Sequence, residues 1–164
     1  MGRHLAGLLG RPFIDLDGRI EHDCGATIRW IFELEGEAGF RARERAALLA
    51  VAEAAPAVIA TGAGVVLDPA NRQTLRAAGV VILLAVDVAE QLRRLARDTT
   101  RPLLRGADRA ERLAEMAATR EPLYRALAQI TLVTRASGPL ASARALLREL
   151  HTFEASTGPP GVNQ

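Results

Sequence analysis

The sequence predicts an α/β fold in which a parallel sheet is packed between helices. Four short apolar runs are rich in β-branched residues, and each is too short to form a buried helix. They alternate with longer segments in which Ala, Leu, Arg and Glu follow a helical pattern. A chain of 164 residues with 49% apolar and 24% charged side chains is typical of one globular domain. Alternating strands and helices are the pattern of βα units stacked around a parallel sheet.

Each predicted strand is bounded by Gly, Pro or charged residues, which interrupt the apolar run. An uninterrupted apolar run of this length suits a strand that is covered on both faces, as strands in parallel sheets are. The four predicted strands are residues 12–15, 57–61, 80–84 and 130–134.

The predicted helices fill the segments around these strands. The first ten residues, MGRHLAGLLG, predict a helix that leads into the first strand. Two aspartates, Asp68 before Pro69 and Asp87, are suited to cap the helices that follow them. The helices predicted after the first strand cover residues 37–54, 69–78, 88–97 and 140–150.

The C-terminal residues differ in composition from the rest of the chain. They end in STGPPGVNQ, which has too few apolar side chains to pack against a core. We therefore expect one domain over residues 1–150 and a disordered tail over residues 151–164.

Composition narrows the class of protein. No apolar run approaches the ~20 residues that cross a bilayer. A single cysteine, Cys24, cannot form an internal disulfide and suits a reducing compartment. The formal net charge is only +2, and the arginines are interleaved with acidic residues instead of forming a basic face. We expect a soluble, cytoplasmic protein that binds neither nucleic acid nor membranes.

Two carboxylates follow the first predicted strand, in the sequence FIDLD. Asp15 and Asp17 therefore lie at the carboxyl end of a strand, where open α/β sheets bind their ligands. Such a pair can serve a metal ion and a substrate hydroxyl. The alternative is that the two aspartates only end the strand and cap the following helix.

A glycine-containing turn, TGAG, follows the second predicted strand. Gly62 and Gly64 would let the backbone approach a small ligand closely and present its N–H groups. The alternative is an ordinary turn between a strand and a helix.

Three of the many arginines stand out by their surroundings: Arg41 after Phe40, Arg101 in RPLL and Arg120 in REPLY. A guanidinium is a planar fork that matches carboxylates and phosphates. The segment RPLLRGADRAE, residues 101–111, connects two helical patterns and is typical of a lid that closes over phosphates. The alternative is that these arginines are solvated and that the segment is a surface loop.

Taken in order, five segments resemble shikimate kinase, a small family of the P-loop nucleoside-monophosphate-kinase-like group. The resemblance implies a three-layer α/β/α fold with a five-stranded parallel sheet in the order 2-3-1-4-5. The family's first, central strand is missing from the sequence. The five segments are GRHLAGLLGRPFIDLDGRIE, IFELEGEAGFRARE, VIATGAGVVLDPANRQTL, ARDTTRPLL and REPLYRALAQITLVT.

The resemblance implies ATP-dependent phosphorylation of the shikimate 3-hydroxyl, a step of chorismate and aromatic amino-acid biosynthesis. Asp17 would hold that hydroxyl and act as the base, and Asp15 would lie near Mg²⁺, partly through water. Arg101 would come from the lid onto the phosphates of ATP.

The resemblance also implies a substrate pocket and a monomeric enzyme whose partner is the small molecule shikimate. Arg41 and Arg120 would clamp the shikimate carboxylate. The turn formed by Gly62, Ala63 and Gly64 would contact the ring hydroxyls. Two aromatic side chains would wall the pocket, Phe32 and Phe40.

The sequence departs from the family's pattern in two places. The family's phosphate loop, Gly-x-x-Gly-x-Gly-Lys-Ser/Thr, and the strand before it would precede Gly2, and the 164 residues contain no lysine. The leading interpretation is that the natural protein carries about 15–20 further residues before Met1, which form the missing strand and phosphate loop. The alternatives are a non-catalytic descendant that binds shikimate, a related polyol acid or a partner protein without ATP, and a non-functional fragment. The second departure is Ala63, where the family usually has Gly. If this position needs a positive φ, an alanine costs roughly 1 kcal/mol; the alternative is that its methyl group crowds the substrate.

Overall fold

The structure is a computed structural model. It describes residues 1–85, 109–133 and 138–157, and only the backbone of residues 109–114. A 3₁₀ turn at Val65–Leu67 accompanies the helices and strands. In chain order these are α1 (Gly2–Leu9), β1 (Phe13–Asp15), α2 (Leu16–Cys24), α3 (Ile28–Ala52), β2 (Val58–Ala60), α4 (Pro69–Ala78), β3 (Ile82–Ala85), α5 (Arg109–Leu127), β4 (Ile130–Val133) and α6 (Pro139–Thr157).

The four strands form two parallel pairs. In the first pair β1 lies beside β2, with Asp15 opposite Ala60. In the second pair β3 lies beside β4, with Ile82 opposite Ile130. Each strand coincides with a predicted one to within two residues at either end, so the prediction of an α/β fold with parallel strands is confirmed.

The two pairs are halves of one layer, because they share the same two hydrophobic cores. Ile59 of β2 and Val81, just before β3, pack against one core. Val58 of β2 and Ile82 of β3 pack against the other. No ladder joins β2 to β3 among the described strands. The resemblance predicts the sheet order 2-3-1-4-5 in the family's numbering, in which β1 to β4 of this chain are strands 2 to 5. Without the family's strand 1, that order leaves two separate pairs, as observed.

Helices cover both faces of the strands, which makes the three layers. On one face, α2 and α3 contribute fully buried side chains such as Leu16, Ile20 and Leu48. On the other face, α1 contributes Leu5 and α6 contributes Leu146. Neighbouring residues of a strand point to opposite faces, which is why Val58 and Ile59 serve different cores.

Helix α3 begins earlier than the helix predicted over residues 37–54. It begins at Ile28, where the Thr27 side chain accepts a hydrogen bond from the Trp30 N–H at 3.4 Å. The helical backbone is interrupted at Gly36, with φ 69° and ψ −173°. A positive φ of this kind is readily adopted only by glycine. The helix resumes beyond this kink and ends at Ala52, two residues before the predicted end at residue 54.

Helix α6 extends into the segment predicted to be a disordered tail. It continues to Thr157, seven residues past the boundary predicted at residue 150. Phe153 packs against the core that α6 shares with α1, so the last turns still bury an apolar side chain. Residues 158–164 lie outside the described part of the chain, as do the helix predicted over residues 88–97 and Arg101. No helix among the described residues is long and apolar enough to cross a bilayer.

Candidate active site

The two aspartates of FIDLD take different positions. Asp15 is the last residue of β1 and the N-cap of α2, where its Oδ1 accepts a hydrogen bond from the Gly18 N–H at 3.5 Å. Asp17 lies in the first turn of α2, and its carboxylate approaches the turn after β2. The parallel pairing of β1 and β2 brings these two strand ends together, as the general position of ligand sites in α/β sheets predicts.

The turn after β2 needs its glycines for space and not for backbone conformation. A Cβ on Gly62 would lie 3.1 Å from Asp17 Oδ1. A Cβ on Gly64 would lie 2.5 Å from both terminal nitrogens of Arg41. Gly64 has φ −81°, and no described non-glycine residue has a positive φ. Ala63 is therefore unstrained, and the cost expected for a positive φ at this position does not arise.

Arg41 is held by two carboxylates of its own helix. Its Nη1 donates to Glu44 Oε2 at 2.7 Å, and its Nη2 donates to Glu37 Oε1 at 3.1 Å. The guanidinium carbon lies 5.2 Å from the centre of the Phe40 ring. Burial disfavours the charged guanidinium, but the ion pairs with Glu44 and Glu37 outweigh this effect and raise the pKa of Arg41. Arg41 is therefore a fixed cation at the edge of the turn.

Glu44 is a functional candidate that the sequence reasoning missed. Its side chain is only 1% exposed. Burial, with a smaller contribution from the charge of Asp17, raises the pKa of Glu44, although Arg41 and Arg120 act in the opposite direction. The signal was present in the helical spacing: Phe40, Glu44 and Leu48 follow at intervals of four residues, and all three are buried. A glutamate on the apolar face of a helix calls for a partner.

Helix α5 contributes Arg120 and a second residue that sequence reasoning missed, Tyr124. The Tyr124 hydroxyl donates a hydrogen bond to the Ala63 carbonyl oxygen at 2.6 Å. Burial raises the pKa of Tyr124, and the charge of Arg120 opposes that shift. Arg120 also acts on Glu44 electrostatically, so its guanidinium faces the same cluster as Arg41. Tyr124 lay in the quoted segment REPLY, but no pattern in the sequence shows which backbone atom its hydroxyl would reach.

Two aromatic rings follow one another beside Arg41: its guanidinium lies over the Phe40 ring, and the Phe40 ring contacts that of Phe32. The rings of Phe32 and Phe40 are 4.8 Å apart between centroids and tilted by 31°. Phe40 is buried, and Phe32 packs partly buried against the same core. The structure therefore brings together most of the predicted site residues with the two that were missed. They are Asp17, Phe32, Phe40, Arg41, Glu44, Gly62, Ala63, Gly64, Arg120 and Tyr124.

The arrangement is suited to an anionic ligand that also carries hydroxyls. Two arginines and a backbone turn stand at one end, and the Asp17 carboxylate stands at the other. Arginine binds a ligand carboxylate through paired hydrogen bonds. The Asp17 carboxylate can accept a hydrogen bond from a ligand hydroxyl. Within the described ranges, no three His, Cys, Asp or Glu residues lie together as metal ligands would.

Known shikimate kinases are similar to this chain over most of its length. The family described as shikimate kinase matches residues 1–151. The shikimate kinase of Chromohalobacter salexigens is 48% identical over 148 residues, which cover 90% of this chain and 82% of that protein. The shikimate kinase of Halorhodospira halophila is 46% identical over 150 residues, which cover 92% and 85%. The structure of a shikimate kinase from Acinetobacter baumannii in complex with shikimate has a TM-score of 0.85 and 42% identity, covering 95% of this chain and 85% of that one. The chain belongs to the shikimate kinase family.

Proposed function

We propose that this site binds shikimate and presents its 3-hydroxyl for phosphorylation. The observation that carries the proposal is the convergence of Arg41, Arg120 and Asp17 on one glycine-containing turn. The similar Acinetobacter baumannii enzyme was solved in complex with shikimate, which supports this choice of substrate.

The two ends of the turn suit the two ends of the substrate. Gly64 adjoins the Arg41 guanidinium, so this end would receive the shikimate carboxylate between Arg41 and Arg120. Gly62 adjoins the Asp17 carboxylate, so this end would receive the ring hydroxyls. Asp17 would accept the hydrogen bond of the 3-hydroxyl and take its proton during transfer. Such fixed charges and orientation are what phosphoryl transfer requires from a protein.

Members of the family use ATP, which supplies the γ-phosphoryl group, and Mg²⁺, which offsets the charge of the phosphates. Mg²⁺ is commonly held by one or two carboxylates together with water and phosphate oxygens. The exposed Asp15, at the end of β1, fits that limited requirement. Arg101 is proposed to contact the phosphates, and it lies outside the described residues. A reducing cytoplasm, where ATP is available, suits a chain with a single free cysteine.

The proposed kinase activity is tested by adding a phosphate-binding segment to the chain. The 164 residues contain no lysine, so we expect this chain alone to show no ATP-dependent phosphorylation of shikimate. A chain extended upstream with a strand and a GxxGxGKS/T loop should gain that activity, measured by coupled detection of ADP. The gap between β2 and β3 among the described strands is where such a strand would pair. A folded, extended chain that binds ATP and never phosphorylates shikimate would contradict the proposal.

A shikimate-binding protein without kinase activity is the second candidate. It is favoured by one observation, the presence of the substrate residues in a sequence with no lysine. The extended chain separates the two candidates, with shikimate and ATP binding measured by calorimetry and phosphorylation measured in the coupled assay. Shikimate binding without activity in the extended chain would favour the second.

A further inference from the structure

We propose that Tyr124 is a positioning residue for the substrate carboxylate, because its hydroxyl fixes the peptide between Ala63 and Gly64 relative to Arg120. This inference rests on the proposed shikimate site and adds a residue to it. Tyr124 is the only tyrosine of the chain.

The first step is the contact itself. The distance of 2.6 Å between Tyr124 Oη and the Ala63 carbonyl oxygen is short for a hydrogen bond between neutral groups. The acceptor is a carbonyl, so the tyrosine hydroxyl must be the donor. The tyrosine ring packs partly buried against the core of α2 and α3, so the hydroxyl is presented by a side chain that is itself fixed.

The second step is what the bond does to the backbone. Every described peptide bond is trans. In a planar trans peptide the C=O and the following N–H point in opposite directions. Holding the Ala63 carbonyl toward Tyr124 therefore holds the Gly64 N–H away from α5. Gly64 adjoins the Arg41 guanidinium, so this N–H belongs to the end of the turn proposed for the carboxylate.

The third step concerns the other contacts that hold the turn. After Gly64 the backbone is well fixed, because Val65 and Val66 are buried and Arg72 Nη1 donates to the Val66 carbonyl oxygen at 2.6 Å. The internal bonds of the turn run from the Val65 N–H to the Gly62 carbonyl at 3.2 Å and from the Leu67 N–H to the Gly64 carbonyl at 3.0 Å. These bonds shape the turn but do not tie it to another element. Glycines restrict the backbone less than other residues do, so a contact at Ala63 itself limits the orientation of the segment before these buried residues. Tyr124, 61 residues away in sequence from Ala63, supplies that contact.

The fourth step links the turn to Arg120. Arg120 precedes Tyr124 by four residues on α5, so the two side chains lie on the same face of the helix. The electrostatic effect of Arg120 on Tyr124 agrees with this proximity. One hydroxyl thus fixes α5, which carries Arg120, against the Gly64 end of the turn, where the carboxylate is proposed to bind.

The test is the variant Tyr124→Phe, which keeps the aromatic ring and removes the hydroxyl. We expect the dissociation constant for shikimate, measured by calorimetry, to rise roughly threefold to tenfold. The matched control is Thr119→Val, which removes another hydroxyl bond of α5, from Thr119 Oγ1 to the Glu115 carbonyl at 2.9 Å. The control should bind shikimate as the unchanged chain does.

Shikimate methyl ester separates positioning from a merely structural role. If Tyr124 orients the carboxylate contacts, the penalty of Tyr124→Phe should shrink for the ester, whose charge is absent. An equal penalty for acid and ester, or unchanged affinity for shikimate, would overturn the inference. Failure of the unchanged chain to bind shikimate would instead refute the proposed function.

A second measurement decides the matter if Tyr124→Phe does not fold. Because the chain has one tyrosine, incorporation of 3-fluorotyrosine gives a single ¹⁹F resonance that reports on Tyr124 alone. Saturation with shikimate should shift this resonance, and the ester should shift it less. A resonance that both ligands leave unchanged would overturn the inference.

Discussion

Gly64→Ala should separate the space requirement of the turn from its backbone conformation. At φ −81° and ψ −13° an alanine is not strained. The added Cβ would, however, lie 2.5 Å from two nitrogens of Arg41, about 1 Å closer than normal contact at ~3.5 Å. The end of a flexible side chain yields more easily than the backbone, so we expect the Arg41 guanidinium to move out of place.

The size of the effect follows from what Arg41 does. A displaced guanidinium loses the proposed bond to the shikimate carboxylate, worth about 1.5–3 kcal/mol for a charged pair. The dissociation constant for shikimate should therefore rise roughly tenfold to hundredfold. The 2.7 Å bond to Glu44 is also lost or weakened, so the free energy of unfolding should fall by about 1–3 kcal/mol.

Calorimetry with shikimate and urea unfolding measure the two effects. The matched control is Gly7→Ala in α1, where an added Cβ would meet nothing within 4 Å. This control should leave binding unchanged and stabilise the chain by about 0.5–1 kcal/mol. A Gly64→Ala variant that binds shikimate as tightly as the unchanged chain would refute the assigned position of Arg41.

Three further predictions concern the charged cluster. Arg41→Ala or Arg120→Ala should weaken shikimate binding roughly tenfold to hundredfold by calorimetry, while ATP binding in the extended chain stays largely intact. Asp17→Asn in the extended chain should keep much of the shikimate affinity and lose turnover, because an amide cannot take the hydroxyl proton; equal losses of both would argue against a base. Burial raises the pKa of Glu44 above its ordinary 4.5, so folding disfavours its ionised form. The stability of the unchanged chain relative to Glu44→Gln should therefore fall as pH rises from about 4.5 in urea unfolding, and a rise would contradict this sign.

Local chemistry was sufficient to predict several parts of this fold. The helix start at Asp68 is one, because an aspartate before a proline satisfies orphan N–H groups whatever the tertiary structure is. The Asp68 Oδ1 accepts from the Ala70 N–H at 2.8 Å, and Arg45 Nε adds a bond to Oδ2 at 2.7 Å. The proximity of Asp17 and Gly62, which follow the ends of β1 and β2, was also predictable, since parallel strands bring their carboxyl ends to one edge.

The parts that failed depend on distant contacts. The composition of residues 151–164 predicts a disordered tail, yet Phe153 packs against the hydrophobic core between α1 and α6. The kink at Gly36 leaves helix on both sides, whereas glycines in a sequence more often indicate a loop. Tyr124 could not be assigned because its partner, Ala63, lies in another βα unit. Such contacts follow from topology and not from local pattern.

Glu44 shows how the site and the stability of the fold oppose each other. Its pKa stays raised although Arg41 and Arg120 are both near, so the ion pairs do not fully offset the burial of its charge. A neutral or apolar side chain at this position would be expected to stabilise the core. An apolar side chain there would also remove one of the two carboxylates that the described residues place on Arg41, leaving Glu37, whose side chain is 54% exposed and therefore orients the guanidinium less firmly. The buried carboxylate is thus explained by the orientation it gives to the guanidinium of Arg41, at a cost to the free energy of folding.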